Sequence, residues 1–299
     1  MILDCAIIGG GPAGLNAALV LGRARRSVIL FDNDQARNAV TQESHGFITR
    51  DGVSPREFRE FAYQDISKYP SVKIKKQKIV EIKEENSFFR LTTEEGNSHL
   101  SKKIIIATGL KETLPNVEGI KNYYGKSLFS CPYCDGWELR DQPLVLISEN
   151  KRAAHAVMTI YQWSKDLVVC TNGSKIISDA EEQLFKKKGI RVIVERIAKL
   201  SGANGKLEKV IFENGEEIIR TGGFVSTELE QPNHLANSLG CEMNSNSGII
   251  MDEFCRTNVK GVYAAGDISF GPSQLIIAAS QGSRAAIGVN SDLITEEFK

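Results

Sequence analysis

A chain of 299 residues is long enough for two domains of ordinary size, each with its own core. Its 37 Lys and Arg balance its 37 Asp and Glu, so no global field draws it to nucleic acid or to an anionic membrane. The first apolar stretch, Ile2 to Gly22, is interrupted by Asp4 and crowded with glycine, and its basic cluster, Arg23, Arg25 and Arg26, follows rather than precedes it. That order argues against a signal peptide or a spanning segment, and a cytoplasmic protein is expected. Of the six cysteines, Cys5, Cys170, Cys241 and Cys255 are isolated from one another and read as packed thiols in a reducing compartment.

Taken in order, Leu3 to Ile8 reads as a short buried strand, followed by an alanine- and leucine-rich helix ending near Arg25 and a second strand, Ser27 to Asp32. The turn after the first strand is Gly9-x-Gly11-x-x-Gly14. Gly9 permits the tight turn, Gly11 lets a pyrophosphate approach the backbone, and Gly14 lets helix and strand pack closely. Pro12 suits the first helical turn, and the helix N-terminus offers donors to phosphates. Asp32 stands where an acid would bind a ribose hydroxyl. Residues 33–50 form a polar, irregular loop. Ser54-Pro55-Arg56-Glu57 is a capping box that starts a helix running to about Tyr69. Val72 to Lys75, Lys78 to Lys83 and Phe88 to Thr93 are β-rich runs, with Glu94 to Asn97 as a hairpin turn. Lys103 to Ala107 is a buried strand that Thr108-Gly109 closes.

Residues 111–125, with Pro115 and Gly119, suit a crossing between domains. Pro143 to Ile147, Lys151 to Ser164 and Asp166 to Cys170 then repeat the opening strand-helix-strand plan, a weak internal repeat of two nucleotide-type domains. The second copy lacks the glycines: Ser148-Glu149-Asn150-Lys151-Arg152-Ala153 occupies the phosphate turn, and no arginine follows the next strand, where Cys170-Thr171-Asn172-Gly173 stands. Glu149 repels phosphate while Lys151 and Arg152 attract an anion, so nucleotide binding there is disfavoured rather than excluded. A helix over Ser178 to Lys188 stopped by Gly189, a strand over Ile190 to Val194, and a meander through Ile219 complete this part. His155 and His234 have no second ligand at metal spacing.

Cys131-Pro132-Tyr133-Cys134 carries the candidate chemistry. Two thiols at this spacing can close and reopen a small disulfide, a two-electron store that needs no metal. Half of a zinc site is the other reading, but no further close Cys or His pair completes four ligands. Near the C-terminus, Thr257 to Asp267 reads as a strand that delivers the Asp267 carboxylate toward a ribityl chain or phosphate, with Gly266 admitting the cofactor. Gln274 to Asp292 reads as a long helix whose N-terminal donors could face a reduced isoalloxazine.

Gly9 to Gly14, Ala107-Thr108-Gly109, Cys131-x-x-Cys134-Asp135 and Ala264-Ala265-Gly266-Asp267 have the order and spacing of low-molecular-weight thioredoxin reductases, which the whole chain resembles. Arg37-Asn38, Ser44-His45-Gly46-Phe47, Asp51-Gly52, Gln162-Trp163-Ser164 and Thr171-Asn172-Gly173 are most similar to a bacterial branch related to the gliotoxin-type dithiol oxidases. The resemblance implies an α/β fold of two Rossmann-like, three-layer ββα domains: an FAD domain from residues 1–112 and 244–299, and a central NAD(P)H-type domain over 113–243 carrying the dithiol. It implies a homodimer whose domains rotate. It implies FAD held by Gly9, Gly11, Pro12, Ala13, Gly14, Asp32, Asn38, His45, Val80, Thr108, Gly109, Gly266, Asp267, Gln274 and Leu275. Cys134 would be the flavin-facing thiol, Cys131 the exchanging one, and Asp135 the proton donor or acceptor. Asp135 departs from the His common in the oxidases and agrees with the reductases; the lost second glycine motif puts NADPH in doubt. The expected function is thiol/disulfide oxidoreduction between FAD and a thioredoxin-like protein or small dithiol or disulfide. If electrons flow outward, a ferredoxin or another non-nicotinamide carrier would supply them. The alternatives are an O2-dependent dithiol oxidase and a non-catalytic FAD-binding redox sensor or scaffold.

Overall fold

The computed structural model describes residues 2–299, which divide by contacts into two units. Unit 1 comprises residues 2–39, Gly46–Lys111 and Glu230–Lys299; unit 2 comprises Val40–His45 and Glu112–Leu229.

Unit 1 opens with β1 (Ile2–Ile8), α1 (Pro12–Arg23), β2 (Val28–Phe31), α2 (Pro55–Ser67), β3 (Val72–Lys75), β4 (Ile79–Glu85), β5 (Phe88–Thr93) and β6 (Ser98–Ile106). The expected capping box is present: Ser54 Oγ accepts from Glu57 N while Glu57 reaches back to Ser54 N. The parallel core runs β3-β2-β1-β6. β6 is one continuous strand that changes partner along its far edge. Its first half pairs antiparallel with β5, and its second half pairs parallel with β17 (Val262–Ala264), which returns from the end of the chain.

Between these parts the chain forms β7 (Lys111–Thr113), α3 (Ile120–Tyr123), β8 (Leu128–Phe129), α4 (Pro132–Asp135), β9 (Leu144–Ile147), α5 (Ala153–Ile160), β10 (Leu167–Cys170), α6 (Asp179–Lys187), β11 (Arg191–Ile193), and the meander β12 (Ile197–Ala203), β13 (Lys206–Phe212) and β14 (Glu217–Ile219), then β15 (Gly222–Val225). The chain returns through β16 (Glu228–Glu230), which pairs with β7, to α7 (Leu235–Ser238), β17 and α8 (Leu275–Glu297). The parallel sheet of unit 2 runs β11-β10-β9-β15-β8.

Each sheet is buried on both faces, and strand alternation sorts its residues between two cores. In unit 1, Cys5, Ile7, Leu30, Ile105 and Tyr263 pack with α1 and α8, while Ala6, Ile8, Phe31, Ile104 and Ile106 pack with β4, β5 and α7. In unit 2, Leu144, Leu146, Leu167 and Val169 pack with α5 and α6, while Val145, Ile147, Val168 and Cys170 pack with the meander. The result is two Rossmann-like units with the same ββα layering.

The structure differs from the sequence reading in several elements. Residues 257–261 are not strand: Val262 N donates to Val259 O, Thr257 N to Val262 O, and Gly261 has φ 85°, which folds them into a turn before β17. α5 is shorter than expected because residues 161–163 tighten into turns at its end. Leu235, Ala236 and Cys241 pack in the β4 and β5 core of unit 1, so the chain re-enters that unit at Glu230 rather than at residue 244.

Candidate active site

The turn after β1 is built from glycines that do different jobs. Gly9 has φ 116°, and a Cβ there would lie 2.1 Å from Ala107 O; at Gly14 a Cβ would lie 1.9 Å from Gly9 O. Both are closed by the protein itself. At Gly11, by contrast, a Cβ would meet nothing within 4 Å. Gly11 is the N-cap of α1, Pro12 follows in the first turn, and no side chain caps the helix donors. Those donors and the helix's positive end face open space, the arrangement a pyrophosphate requires. Thr108, at the end of β6, has a buried Oγ1 without a hydrogen-bond partner among the described residues, and Gly109 turns at φ 64° with nothing within 4 Å of a built Cβ. An orphaned hydroxyl beside an uncapped helix start fits a dinucleotide cofactor such as FAD.

Of the remaining cofactor candidates of unit 1, Asp32 and Gly266 pack against this turn. Asp32 follows β2, is 3% exposed, and sits under Gly10, where a Cβ would lie 2.2 Å from its carboxyl group. Gly266, at φ 88°, passes against Ala13, where a Cβ would come within 3.0 Å of the Ala13 methyl, and its N–H donates to Gln281 Oε1 at 2.7 Å. Asp267 accepts from Arg37 Nη2 at 2.7 Å, and Asn38 shares the short 3-10 turn of Arg37. Val80 lies at a register shift of β4 against β5, which sets it out of the ladder. Gln274 is the N-cap of α8, Leu275 its first residue, and no side chain caps this helix either.

The dithiol lies in unit 2. Cys131 is the N-cap of the single turn α4, Pro132 occupies the first helical position, and Cys134 N and Asp135 N both donate to Cys131 O at 3.1 Å. This turn brings the two Cα atoms to 5.3 Å, and the sulfurs are joined as a disulfide. Gly136 is required here, because a Cβ would lie 2.4 Å from Pro132 O and 2.7 Å from the Trp163 ring. Tyr133, 71% exposed, meets Trp163 edge-on at 5.6 Å, and Trp137, 65% exposed, stacks under Arg140 at 4.1 Å. Asp135 is buried, and burial first, then the negative charge of Glu138, pushes its pKa up to about 7, with His45 acting in the opposite direction. His45 Nε2 lies 3.7 Å from Glu138 and 3.5 Å from Glu43. A carboxyl group near neutrality can both give and take a proton at physiological pH.

Unit 2 also holds the counterpart of the glycine turn. After β9, Ser148 Oγ accepts from Asn150 N at 3.2 Å, and Asn150 Oδ1 accepts from Arg152 N at 2.8 Å. Glu149 accepts from Asn172 Nδ2 at 2.6 Å, and Asn172 Oδ1 accepts from Ile197 N at 2.9 Å. The chain's own side chains therefore occupy the turn.

Residues 3–282 match the family described as pyridine nucleotide-disulphide oxidoreductase. The chain belongs to that family. Over 98% of its length it is 30% identical to a probable thioredoxin reductase of Arthroderma benhamiae, covering 81% of that protein. It is likewise 30% identical to thioredoxin reductase sirT of Leptosphaeria maculans, covering 97% of this chain and 94% of that one. A crystal structure of a putative thioredoxin reductase TrxB from Bacillus anthracis superimposes with a TM-score of 0.95 at 49% identity, over 99% of both chains. As a thioredoxin reductase-like member, the protein is an FAD-dependent oxidoreductase. No helix among the described residues is long and apolar enough to cross a membrane.

The structure thus gathers the glycines, Asp32, Thr108, Gly266 and Asp267 in unit 1, and the dithiol with Asp135 in unit 2. His45 is placed beside Glu138 rather than among the residues of the glycine turn. Sequence reasoning missed Glu138, whose signal was an acid three residues after Asp135, and the Arg59 and Tyr63 pair on Asp32. That pair was signalled only by its four-residue spacing on a helix.

Proposed function

We propose that the protein moves electron pairs between FAD and an outside dithiol or disulfide through Cys131 and Cys134, and that it does so without efficient use of NADPH. The observation that carries this reading is the contrast between two turns: open donors at the start of α1, and a turn after β9 filled by Ser148, Glu149 and Asn150. FAD, when bound, supplies a two-electron acceptor and donor. Gly11 and the N-terminus of α1 would hold its pyrophosphate, Asp32 its adenosine ribose, and Asp267 its ribityl end.

Electrons from a dithiol partner enter by thiol–disulfide exchange. A partner thiolate attacks Cys131 Sγ, the Cys131–Cys134 bond breaks, and Cys134 leaves as a thiolate that takes a proton from Asp135. The partner's second thiol loses its proton to solvent and its sulfur attacks the partner sulfur of the mixed disulfide, forming the partner's disulfide and releasing the Cys131 thiolate. Cys134 would be the sulfur facing FAD, which when bound would take up the electron pair, and Asp135 would receive the Cys134 proton as the Cys131–Cys134 bond is restored. Outward flow runs the same exchanges in reverse. The exposed rings of Tyr133 and Trp137 beside Cys131 give a thioredoxin-like protein or a small apolar dithiol a surface to rest on.

Anaerobic titration of the FAD-loaded protein tests the reading. Flavin absorbance is expected to bleach stoichiometrically with a dithiol and to remain when NADPH or NADH is added. Prompt bleaching by either nucleotide would sink the claim about the second turn. Cys134→Ser is expected to slow dithiol bleaching by at least about a thousandfold, since the electron path then lacks its second sulfur; unchanged bleaching would sink the claim about the dithiol.

A further inference from the structure

The acid that follows β2 is not an isolated carboxylate awaiting a ribose. Asp32 Oδ1 accepts from Asp34 N at 2.9 Å, while Asp32 Oδ2 accepts from both Arg59 Nη2 and Tyr63 OH at 2.5 Å. Arg59 and Tyr63 are four residues apart on α2, so one helix face presents both. Arg59 Nη2 also donates to Tyr63 OH at 3.0 Å, and Arg59 Nη1 reaches Asp34 at 2.7 Å. The side chains of Arg59 and Asp32 are 14% and 4% exposed. Burial first, then the Asp32 carboxylate, pushes the Tyr63 phenol up to about 12 against the opposing Arg59 cation, so Tyr63 keeps its proton and remains a donor. Lys76, 3.3 Å from Asp34, is the other cation facing the group.

An ionised carboxylate offers about four acceptor sites. Three are used by Asp34 N, Arg59 and Tyr63, and the one left is on Oδ1. We propose that Arg59, seated by Tyr63, is a positioning residue for the adenosine end of FAD: it fixes Asp32 in one orientation and leaves a single acceptor, so that this acid reads one ribose hydroxyl and not two. A carboxylate with all its acceptor sites free has the capacity to accept from both hydroxyls. The inference rests on FAD binding in unit 1, and it is independent of the direction of electron flow and of NADPH use.

The test uses protein stripped of flavin and rebound, followed by quenching of flavin fluorescence. The probes are FAD and two analogues lacking either the 2′- or the 3′-hydroxyl of the adenosine ribose. For the natural chain, one analogue is expected to bind about tenfold more weakly than FAD, the worth of one hydrogen bond to a charged acceptor, and the other about equally to FAD. Tyr63→Phe keeps the ring and frees an acceptor, so the insensitive analogue should become sensitive while FAD is held no more weakly. Arg59→Met should weaken FAD about tenfold and bring the two analogues together. A purely structural role for Arg59 and Tyr63 would lower all three affinities in step and leave their ratios unchanged. Equal losses for the two analogues in the natural chain, or variants that leave the ratio as it was, would overturn the proposal. Should Arg59→Met fail to fold, the natural chain and Tyr63→Phe decide it.

Discussion

The two units use one plan and end their first strands in opposite ways. Both sheets run third, second, first strand outward from a central pair, both bury alternate residues against helices and an antiparallel layer, and both begin a helix directly after the first strand. No side chain caps either helix start, but in unit 1 it faces open space at Gly11, whereas in unit 2 the turn ahead of α5 is tied up by its own side chains, Asn150 Oδ1 accepting from Arg152 N and Glu149 from Asn172. The apolar strand runs are sufficient for the layering. The opening of the cofactor turn rests on Gly11, which can change without disturbing the cores beneath, whereas Gly9 and Gly14 are closed by the protein's own backbone. A nucleotide-type sheet is therefore no measure of nucleotide binding.

The contrast can be broken most directly at Gly11. Its φ of −80° and ψ of −179° suit a side chain, and aspartate is a favoured N-cap. Gly11→Asp should leave thermal unfolding of the flavin-free protein unchanged or higher, while FAD affinity falls by at least about a hundredfold, because a carboxylate occupies the phosphate's place. Retained FAD affinity would show that the open face of Gly11 is not the cradle.

The proton site of unit 2 gives a smaller, pH-shaped effect. With its pKa raised from 3.8 to about 7, Asp135 is protonated in the folded chain over a range where the unfolded chain is ionised. Its contribution to folding stability is complete below 3.8 and is lost as pH rises through about 7. Anaerobic bleaching by a dithiol should show an inflection near that pH. Asp135→Asn should remove the inflection and slow bleaching about a hundredfold. Glu138→Gln should move the inflection down, since Glu138 raises the acid; an inflection untouched by both changes would assign the titration elsewhere.

Smaller again is the effect of charge in the closed turn. Glu149→Gln removes the repulsion while leaving side chains where glycines would be needed. NADPH affinity, measured by nucleotide fluorescence, should rise no more than about fivefold. A gain of about a hundredfold would mean that one charge, not the missing glycines, separates the two turns.

Both sheets, the capping box at Ser54 and the glycine turn were legible because each rests on local chemistry: apolar runs, a side chain within three residues of its donor, a backbone conformation only glycine adopts freely. What was not legible depends on distant parts of the chain. β8 is two residues long and gains its place only by pairing with β15, where Gly223 packs 1.9 Å from Val145 O when given a Cβ. Residues 257–261 read as the start of the apolar strand that follows them, yet the hydrogen bond from Thr257 N to Val262 O closes them into a turn. Arg59 reads in sequence as one more helix charge, and only the packing of α2 against α1 brings it to Asp32. His45 similarly stands in a polar loop whose fold sets it beside Glu138.

The smallest effect compares two matching caps. Ser54 begins α2 and Ser178 begins α6, each with a full capping box completed by Glu57 and Glu181. Replacing either serine with alanine should cost about 1 kcal/mol of stability, since one orphan donor loses its acceptor. The two substitutions should part company in flavin binding. α2 carries Arg59 only five residues beyond its cap, so fraying at Ser54 loosens the arm that holds Asp32; α6 packs through Phe185 in the core of unit 2 and touches no cofactor candidate. Ser54→Ala should therefore weaken FAD by about twofold to threefold, whereas Ser178→Ala should leave it unchanged at equal loss of thermal stability. Equal FAD affinities in the two variants would mean that the hold on Asp32 does not depend on how firmly the start of α2 is fixed, and that Arg59 is kept in place by its partners Asp34 and Tyr63 alone.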